Sequence, residues 1–437
     1  MNSFTKSTIV LFFILSSWAQ AQNNIRIYQE QRVSSTVNEF LKISDPFSMT
    51  NSQFEKEWMS KFALSWTDKF KRSARTTSQV KYHELTSKET IFKFRSSKFD
   101  NVKMMIYNQG DEGLISKTKF TERVKKTATA IQTLIGKKPT YKPNAGASNR
   151  NIYFWVAMPY LYRIEFSSSM VKKDKFSKAT FKPEYIRLII SKGSPKINAV
   201  NIDKVGSNIL TQLEIKEMIT KTDDGSVFLE GIPMIDQGRK GYCACATTAR
   251  ILNYYGREVD MHDIAKLAES TGALGTDPKE LEGAIKNISA KLRLNMRKIV
   301  TCYLSNNRDF GRLMDKINRQ YKKMDMTFNP RSVKAGEIKP AFKAMALKDR
   351  RFKDFEKGIK TYIDRGQPLA WALQLGIVPE PGLPQAGGGH MRLITGYNQE
   401  KKTIFFSDSW GKGHEKKEMD IYSAFYISMA LWAISPR

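Results

Sequence analysis

Three cysteines and four histidines are the scarce reactive side chains of this 437-residue chain: Cys243, Cys245 and Cys302, and His83, His262, His390 and His414. A nucleophilic thiol needs a field that favours the thiolate and a base to move its proton. Gly238 and Gly241 make a turn just before Cys243. After it, Ala244, Thr248, Ile251, Leu252 and Tyr255 share one face of a helix that Gly256 ends. Cys243 therefore opens a helix, where free amides and the helix dipole stabilise a thiolate, and Arg239 and Lys240 add to that field. A small buried structural cysteine is the commoner fate of this residue type. Gln237 argues for chemistry instead. It stands six residues before Cys243, across the glycine turn. An amide there can swing over the sulfur and form, with the Cys243 N–H, a two-donor oxyanion hole.

His390 is the histidine best placed to be the base. A helix marked by Phe352, Phe355, Ile359 and Ile363 stops at Gly366, a strand follows over 368–375, and a Pro/Gly-rich loop runs to Gly389. His390 opens a second strand over 391–397, and 403–406 forms a third that ends at Asp408. This hairpin sets His390 and Asp408 near its open end on adjacent strands. Asp408 then accepts from one imidazole nitrogen while the other faces the sulfur. Trp410 is large enough to cover that hydrogen bond from water. His262 reads as a polar residue near the start of the next helix, His414 as exposed in a charged stretch, and His83 as structural. Cys243 and Cys245 are separated by one residue and no second pair exists, so the spacing does not fit a zinc site, and no metal or cofactor is expected.

Taken together, these segments resemble the papain-like cysteine peptidases. The shared features are Gln237 with Cys243 at a helix start, His390 followed by apolar strand residues to Gly396 and Tyr397, and Asp408-Ser409-Trp410-Gly411. Asp in place of Asn, and Tyr254-Tyr255-Gly256 closing the first helix, bring the chain closer to the bacterial double-glycine (bacteriocin-leader) peptidases. The resemblance spans roughly 225–435 and implies an α+β, two-lobed domain over 221–437, with a helical lobe and an antiparallel-sheet lobe. It implies Cys243 as nucleophile, His390 as general base and acid, Asp408 as its orienting partner, and a protein or peptide substrate. The stretch of about 293–348 is an insertion that the resemblance does not account for.

The elements upstream form a separate α+β pattern, placed over 22–220. Phe54, Trp58, Phe62, Trp66 and Phe70 recur every four residues, which predicts that 22–75 is mostly helical. Strands are expected at 81–85, 90–94, 102–107, 152–157, 161–166 and 185–190, with a helix over 121–134 closed by Gly136. No catalytic constellation appears in this half. At the extreme N-terminus, Lys6, an apolar run over 9–15 and Ala19-Gln20-Ala21 predict a signal peptide over 1–21, cleaved after Ala21. The run is shorter than the roughly 20 apolar residues of a membrane span. A secreted or periplasmic location follows, and the odd cysteine count leaves at least one thiol free within a chain.

The formal charge is +29, from 72 Lys and Arg against 43 Asp and Glu. The basic residues are dispersed and no nucleic-acid module is present, so the charge suits an anionic envelope surface better than a specific nucleic acid. The expected function is an exported cysteine peptidase working through a thioester. The alternatives are a cell-wall peptide amidase or transpeptidase using the same site, or a non-catalytic envelope-binding protein with a retired peptidase fold.

Overall fold

The computed structural model describes residues 33–145, 149–171, 178–198, 210–237, 241–257, 259–267, 294–301, 307–324, 335–380, 382–383, 387–411 and 413–436. The expected signal peptide, Gly238 to Lys240 and Cys302 lie outside them.

Residues of the first half build one antiparallel sheet. Its strands are β1 (Ser65–Trp66), β2 (Ser73–Thr76), β5 (Glu89–Arg95), β6 (Lys98–Asn108), β7 (Thr140–Ala145), β8 (Arg150–Ala157), β9 (Tyr160–Val171) and β10 (Thr180–Lys192), with β3 (Val80–Tyr82) and β4 (Leu85–Ser87) as a separate hairpin. The spatial order is β1-β2-β5-β6-β10-β9-β8-β7. Five of the six expected strands fall on single strands of this half, whereas 81–85 straddles the β3–β4 hairpin, where His83, at φ +47, turns the chain. The helix expected over 121–134 is Lys117–Ile135, capped by Ser116 and closed by Gly136 in the left-handed region. Its Phe120, Val124 and Ile131 turn inward.

The long helix expected over 22–75 is absent from the described part of that stretch. Two short α-helices, Val37–Leu41 and Asn51–Glu57, stand there with a 3₁₀ turn, and the chain then enters β1 and β2. The four-residue aromatic spacing serves a cluster rather than one helix face. Phe40 meets Phe54, Phe92 and Phe99 edge-on at 5.5, 5.4 and 4.8 Å between ring centroids. Edge-to-face geometry favours the ring quadrupoles, and Ala63, at φ +51, turns the chain back so that Trp66 can join the sheet.

A second antiparallel sheet comprises β11 (Ile219–Lys221), β12 (Ser226–Leu229), β13 (Leu294–Thr301), β14 (Leu369–Leu375), β15 (Gly388–Asn398), β16 (Thr403–Ser407), β17 (Lys417–Asp420) and β18 (Ser428–Pro436). Its main path is β11-β12-β15-β14-β18-β13, with β16 and β17 added beyond β15. This sheet is covered on both faces, and the period-two alternation of β14 shows how. Ala370 and Ala372 face the Cys243–Tyr254 helix, while Leu369, Trp371 and Leu373 face the opposite core. Small residues on the first face let that helix approach closely. The stretch anticipated as an insertion is integrated into the fold. It supplies β13 at the sheet edge and the helices Asn307–Lys323 and Ala335–Ala346, whose Phe342 stacks on Tyr426 at 4.9 Å.

Among the described residues, no helix is long and apolar enough to cross a membrane. Among the same residues, no group of three or more His, Cys, Asp or Glu is arranged to hold a metal.

Candidate active site

Cys243 is the first residue of the Cys243–Tyr254 helix, and Tyr242 before it provides no side-chain cap. The thiol therefore sits where backbone N–H groups point out of the helix and the dipole is positive. Gly256, at φ +81, follows the C-terminus as expected. One feature differs from the amphipathic helix anticipated: every residue from Cys243 to Leu252 is buried, as is Tyr254. The sheet takes one side and other elements take the rest, so no polar stripe is left for water. Neither Cys243 nor Cys245 is in a disulfide.

A second pattern on this helix went unread in the sequence. Thr247 and Arg250 lie four and seven residues after Cys243, on the same face. Thr247 Oγ1 donates to the Met391 carbonyl at 3.3 Å, next to His390. Arg250 donates to the Asp408 carbonyl at 2.8 Å, to Ser407 Oγ at 2.5 Å and to the Pro233 carbonyl at 2.8 Å. The Cys243–Tyr254 helix is thus joined directly to the strands bearing the histidine and the carboxylate.

His390 and Asp408 lie where the β15–β16 hairpin was expected to bring them. Leu393 pairs with Ser407, and the two side chains meet just beyond that register. His390 Nε2 is 2.6 Å from Asp408 Oδ1, and both side chains are fully buried. Asp408 is held from two further directions: Ser409 N–H donates to Oδ1 at 2.8 Å and Arg392 Nε donates to Oδ2 at 2.6 Å. Arg392 in turn donates to both oxygens of Glu380 at 3.0 Å. Burial alone would raise the Asp408 pKa, but His390, Arg392 and the Ser409 amide hold it well below the usual carboxylate range. Burial pushes the His390 pKa down. The Asp408 charge and hydrogen bond, with the Cys243 side chain, outweigh burial and lift it to about 9. With the carboxylate ionised, Nε2 carries the proton that Asp408 accepts. Nδ1 is buried without a hydrogen bond of standard geometry, and Cys243 is a hydrogen-bonding neighbour of the ring. Trp410 stacks on the imidazole at 4.3 Å, nearly parallel, sealing the pair from water as its position suggested.

Gln237 is buried, not a pliable loop residue. Its N–H donates to the Ser409 carbonyl at 2.8 Å, and its Oε1 accepts from Ser409 Oγ at 2.6 Å. Engaging the oxygen leaves the NH₂ end of the amide as the donor for other partners. Gly411, at φ +80, lies against this segment, where a Cβ would approach Asp236 Oδ2 to 2.7 Å. His414 corrects the expectation of exposure: it is 3 % exposed, meets Trp410 edge-on at 5.7 Å, and its carbonyl accepts from the Asp408 N–H at 2.8 Å. The charged neighbours of His414 suggested solvent, but the left-handed turn at Gly411 and Gly413 folds the ring inward. His262 is in the first turn of Met261–Leu267 and faces Glu89 of the first half at 3.6 Å. His83 is exposed in the β3–β4 turn.

Residues 229–433 match the model of the Peptidase_C39 like family. This part of the chain is similar to that family. The match covers Gln237, Cys243, His390, Asp408 and Trp410, and begins after the first half has ended. Among solved structures, the chain is similar to xylellain, a cysteine protease from Xylella fastidiosa, at 14% identity over 56% of this chain and 95% of that one, with a TM-score of 0.24. Among curated proteins no match is found. Arg250, Arg392, Glu380 and Ser409 are the residues of this region whose roles sequence reasoning missed. Arg392 had a readable signal, since it is two residues after His390 and shares its face of β15.

Proposed function

We propose that the chain is an exported cysteine peptidase, a papain-like two-lobed domain preceded by a separate α+β domain, hydrolysing peptide bonds in protein or peptide substrates. The Cys243 thiolate attacks the scissile carbonyl carbon, and the carbonyl π electrons move to oxygen. The Cys243 N–H and the Gln237 NH₂ group stabilise that oxyanion. His390, as imidazolium, gives its Nδ1 proton to the amine, the C–N bond breaks and a thioester remains. Water then attacks the thioester while His390 takes its proton, releasing acid and thiolate. Asp408 keeps the imidazole oriented and Trp410 keeps water off their bond.

One observation carries this reading: a buried His390–Asp408 pair at 2.6 Å with Cys243, at a helix N-terminus, as the neighbour of the imidazole. The test is alkylation with an iodoacetamide probe, mapping of the label, and digestion of a peptide mixture. The label falls on Cys243, and cleavage disappears in Cys243→Ala and His390→Ala. Label on Cys245 or Cys302 at neutral pH, or cleavage surviving in both variants, overturns the assignment. Export rests on the 1–21 segment, and N-terminal sequencing of the mature protein should begin at Gln22. The +29 charge suits an anionic envelope surface, to which binding should weaken as salt rises.

A further inference from the structure

The segment that carries Gln237 is held on two sides by different halves of the molecule. On one side are the Asp408 to Gly411 contacts already described. On the other is the first sheet. The Met234 N–H donates to the Thr67 carbonyl at 2.5 Å, and Arg72 donates to the Gly231 carbonyl at 2.8 Å. Arg75, on β2, makes the contact nearest the amide. Its guanidinium donates to the Asp236 carbonyl at 2.9 Å and lies 3.6 Å from Asp236 Oδ2. Arg75 is buried, and its Nε donates to Glu89 Oε1 at 3.1 Å, which fixes the plane of the fork. Glu89 Oε2 faces His262, and the His262 ring meets Tyr242, the residue before Cys243, at 5.7 Å. One buried pair from the first half therefore bears on both donors of the oxyanion hole, through Asp236 on one side and Tyr242 on the other.

We propose that Arg75 is a positioning residue for Gln237, so that the first half of the chain is a built-in activator of the peptidase. This rests on the oxyanion role assigned above. The carbonyl of Asp236 belongs to the peptide unit that also carries the Gln237 N–H. Fixing that carbonyl from one side and the N–H from the other, through Ser409, locks the plane from which the Gln237 side chain departs. Pre-organisation of this kind determines how well a donor meets the developing oxyanion, and a misplacement of about 1 Å can cost about 10²-fold in rate. It also explains why the half without catalytic residues spends a buried arginine on a backbone carbonyl.

The experiment compares the full chain with Arg75→Ala, Arg75→Lys and Asp236→Asn, using Arg123→Ala as a control that breaks an ion pair with Glu112. Hydrogen–deuterium exchange reads the position of the segment without any activity. In Arg75→Ala, exchange across 233–242 should rise at least tenfold while 388–398 stays protected. Arg75→Lys should recover part of this, and Asp236→Asn, which keeps the carbonyl, should change least. Peptide cleavage in Arg75→Ala should lose about 10- to 100-fold in kcat with KM held. Affinity for a peptide aldehyde, whose adduct with Cys243 carries an oxyanion, should fall in parallel, whereas iodoacetamide alkylation, which forms none, should not. Unchanged exchange at 233–242, or equal losses in alkylation and aldehyde binding, overturns the proposal. If exchange rises as expected but the parent chain neither cleaves peptides nor binds the aldehyde, the peptidase reading fails while the positioning of the segment stands.

Discussion

The first sheet places aromatic packing on one face and buried ion pairs on the other, whereas the second is packed with apolar residues on both faces and gathers its buried charges around His390. In each a buried carboxylate collects cations. Glu165, on β9, lies 2.6 Å from Arg187, 3.0 Å from Arg150 and 3.7 Å from Arg163. Burial would raise its pKa, but the three arginines bring it to about 2. Asp408 is paired with Arg392 and His390. Three permanent charges make a joint: Arg187 continues to Asp263 at 3.1 Å, and Tyr185 donates to the same carboxylate at 2.6 Å, fastening the first half to the Met261–Leu267 helix. At Asp408 one partner is titratable and lies beside a thiol, which is the arrangement proton transfer needs rather than fastening.

That contrast can be broken from either side. The largest effect is expected from Asp408→Asn. It keeps the shape but removes the charge that fixes the His390 tautomer, and it should lower peptide cleavage by about 10³–10⁴-fold, with circular dichroism unchanged. Arg187→Met is the counterpart in the first sheet. It leaves Glu165, Asp260 and Asp263 short of a partner, and urea unfolding should show a loss of about 3–5 kcal/mol. Gln237→Ala should lower kcat by about 10²–10³ and leave Cys243 alkylation intact. Parental turnover in that variant would transfer the oxyanion role to other donors. Its melting point should fall slightly, because Ser409 loses its acceptor.

The smallest effects are the pH limbs, which should be opposite in sign for the two halves. His390 is raised above its ordinary 6.5 to about 9, so the stability it contributes is complete below 6.5 and lost as pH rises through about 9. Cleavage should fall over the same alkaline window as the general acid loses its proton, while alkylation of the thiolate does not. Glu165 is lowered from 4.5 to about 2, so its contribution is complete above 4.5 and lost as pH falls through about 2. Urea midpoints measured across both windows check this, and in Arg187→Met the acid limb should move to higher pH. Cleavage that rises through pH 9 would contradict the imidazolium assignment.

What was legible in the sequence depended on the range of the interaction. Cys243, His390 and Asp408 were readable because each sits at the start or end of a local element marked by glycines and apolar periodicity. The helix boundary at Gly136 and the strands of the first sheet were readable for the same reason. The aromatic spacing from Phe54 to Phe70 misled, because four-residue spacing fits a helix face and equally a chain that turns back across a sheet. Contacts between distant segments left no local trace. Arg250 to Asp408, Arg75 to Asp236 and Ser409 to Gln237 join residues more than 150 positions apart. Buried His414 belongs to the same class, since only the packing of Trp410 shows where its ring goes.

The stacking of Trp410 on His390 gives the site its own optical reporter. An indole at 4.3 Å and nearly parallel to an imidazole is quenched far more strongly when the imidazole is protonated than when it is neutral. Emission from this one of the seven tryptophans should therefore brighten as His390 loses its proton. Subtracting the signal of Trp410→Phe isolates that change. The protonation state of the base then becomes visible in the resting protein, without substrate, label or turnover, and a titration of light should trace the same alkaline midpoint as the chemistry.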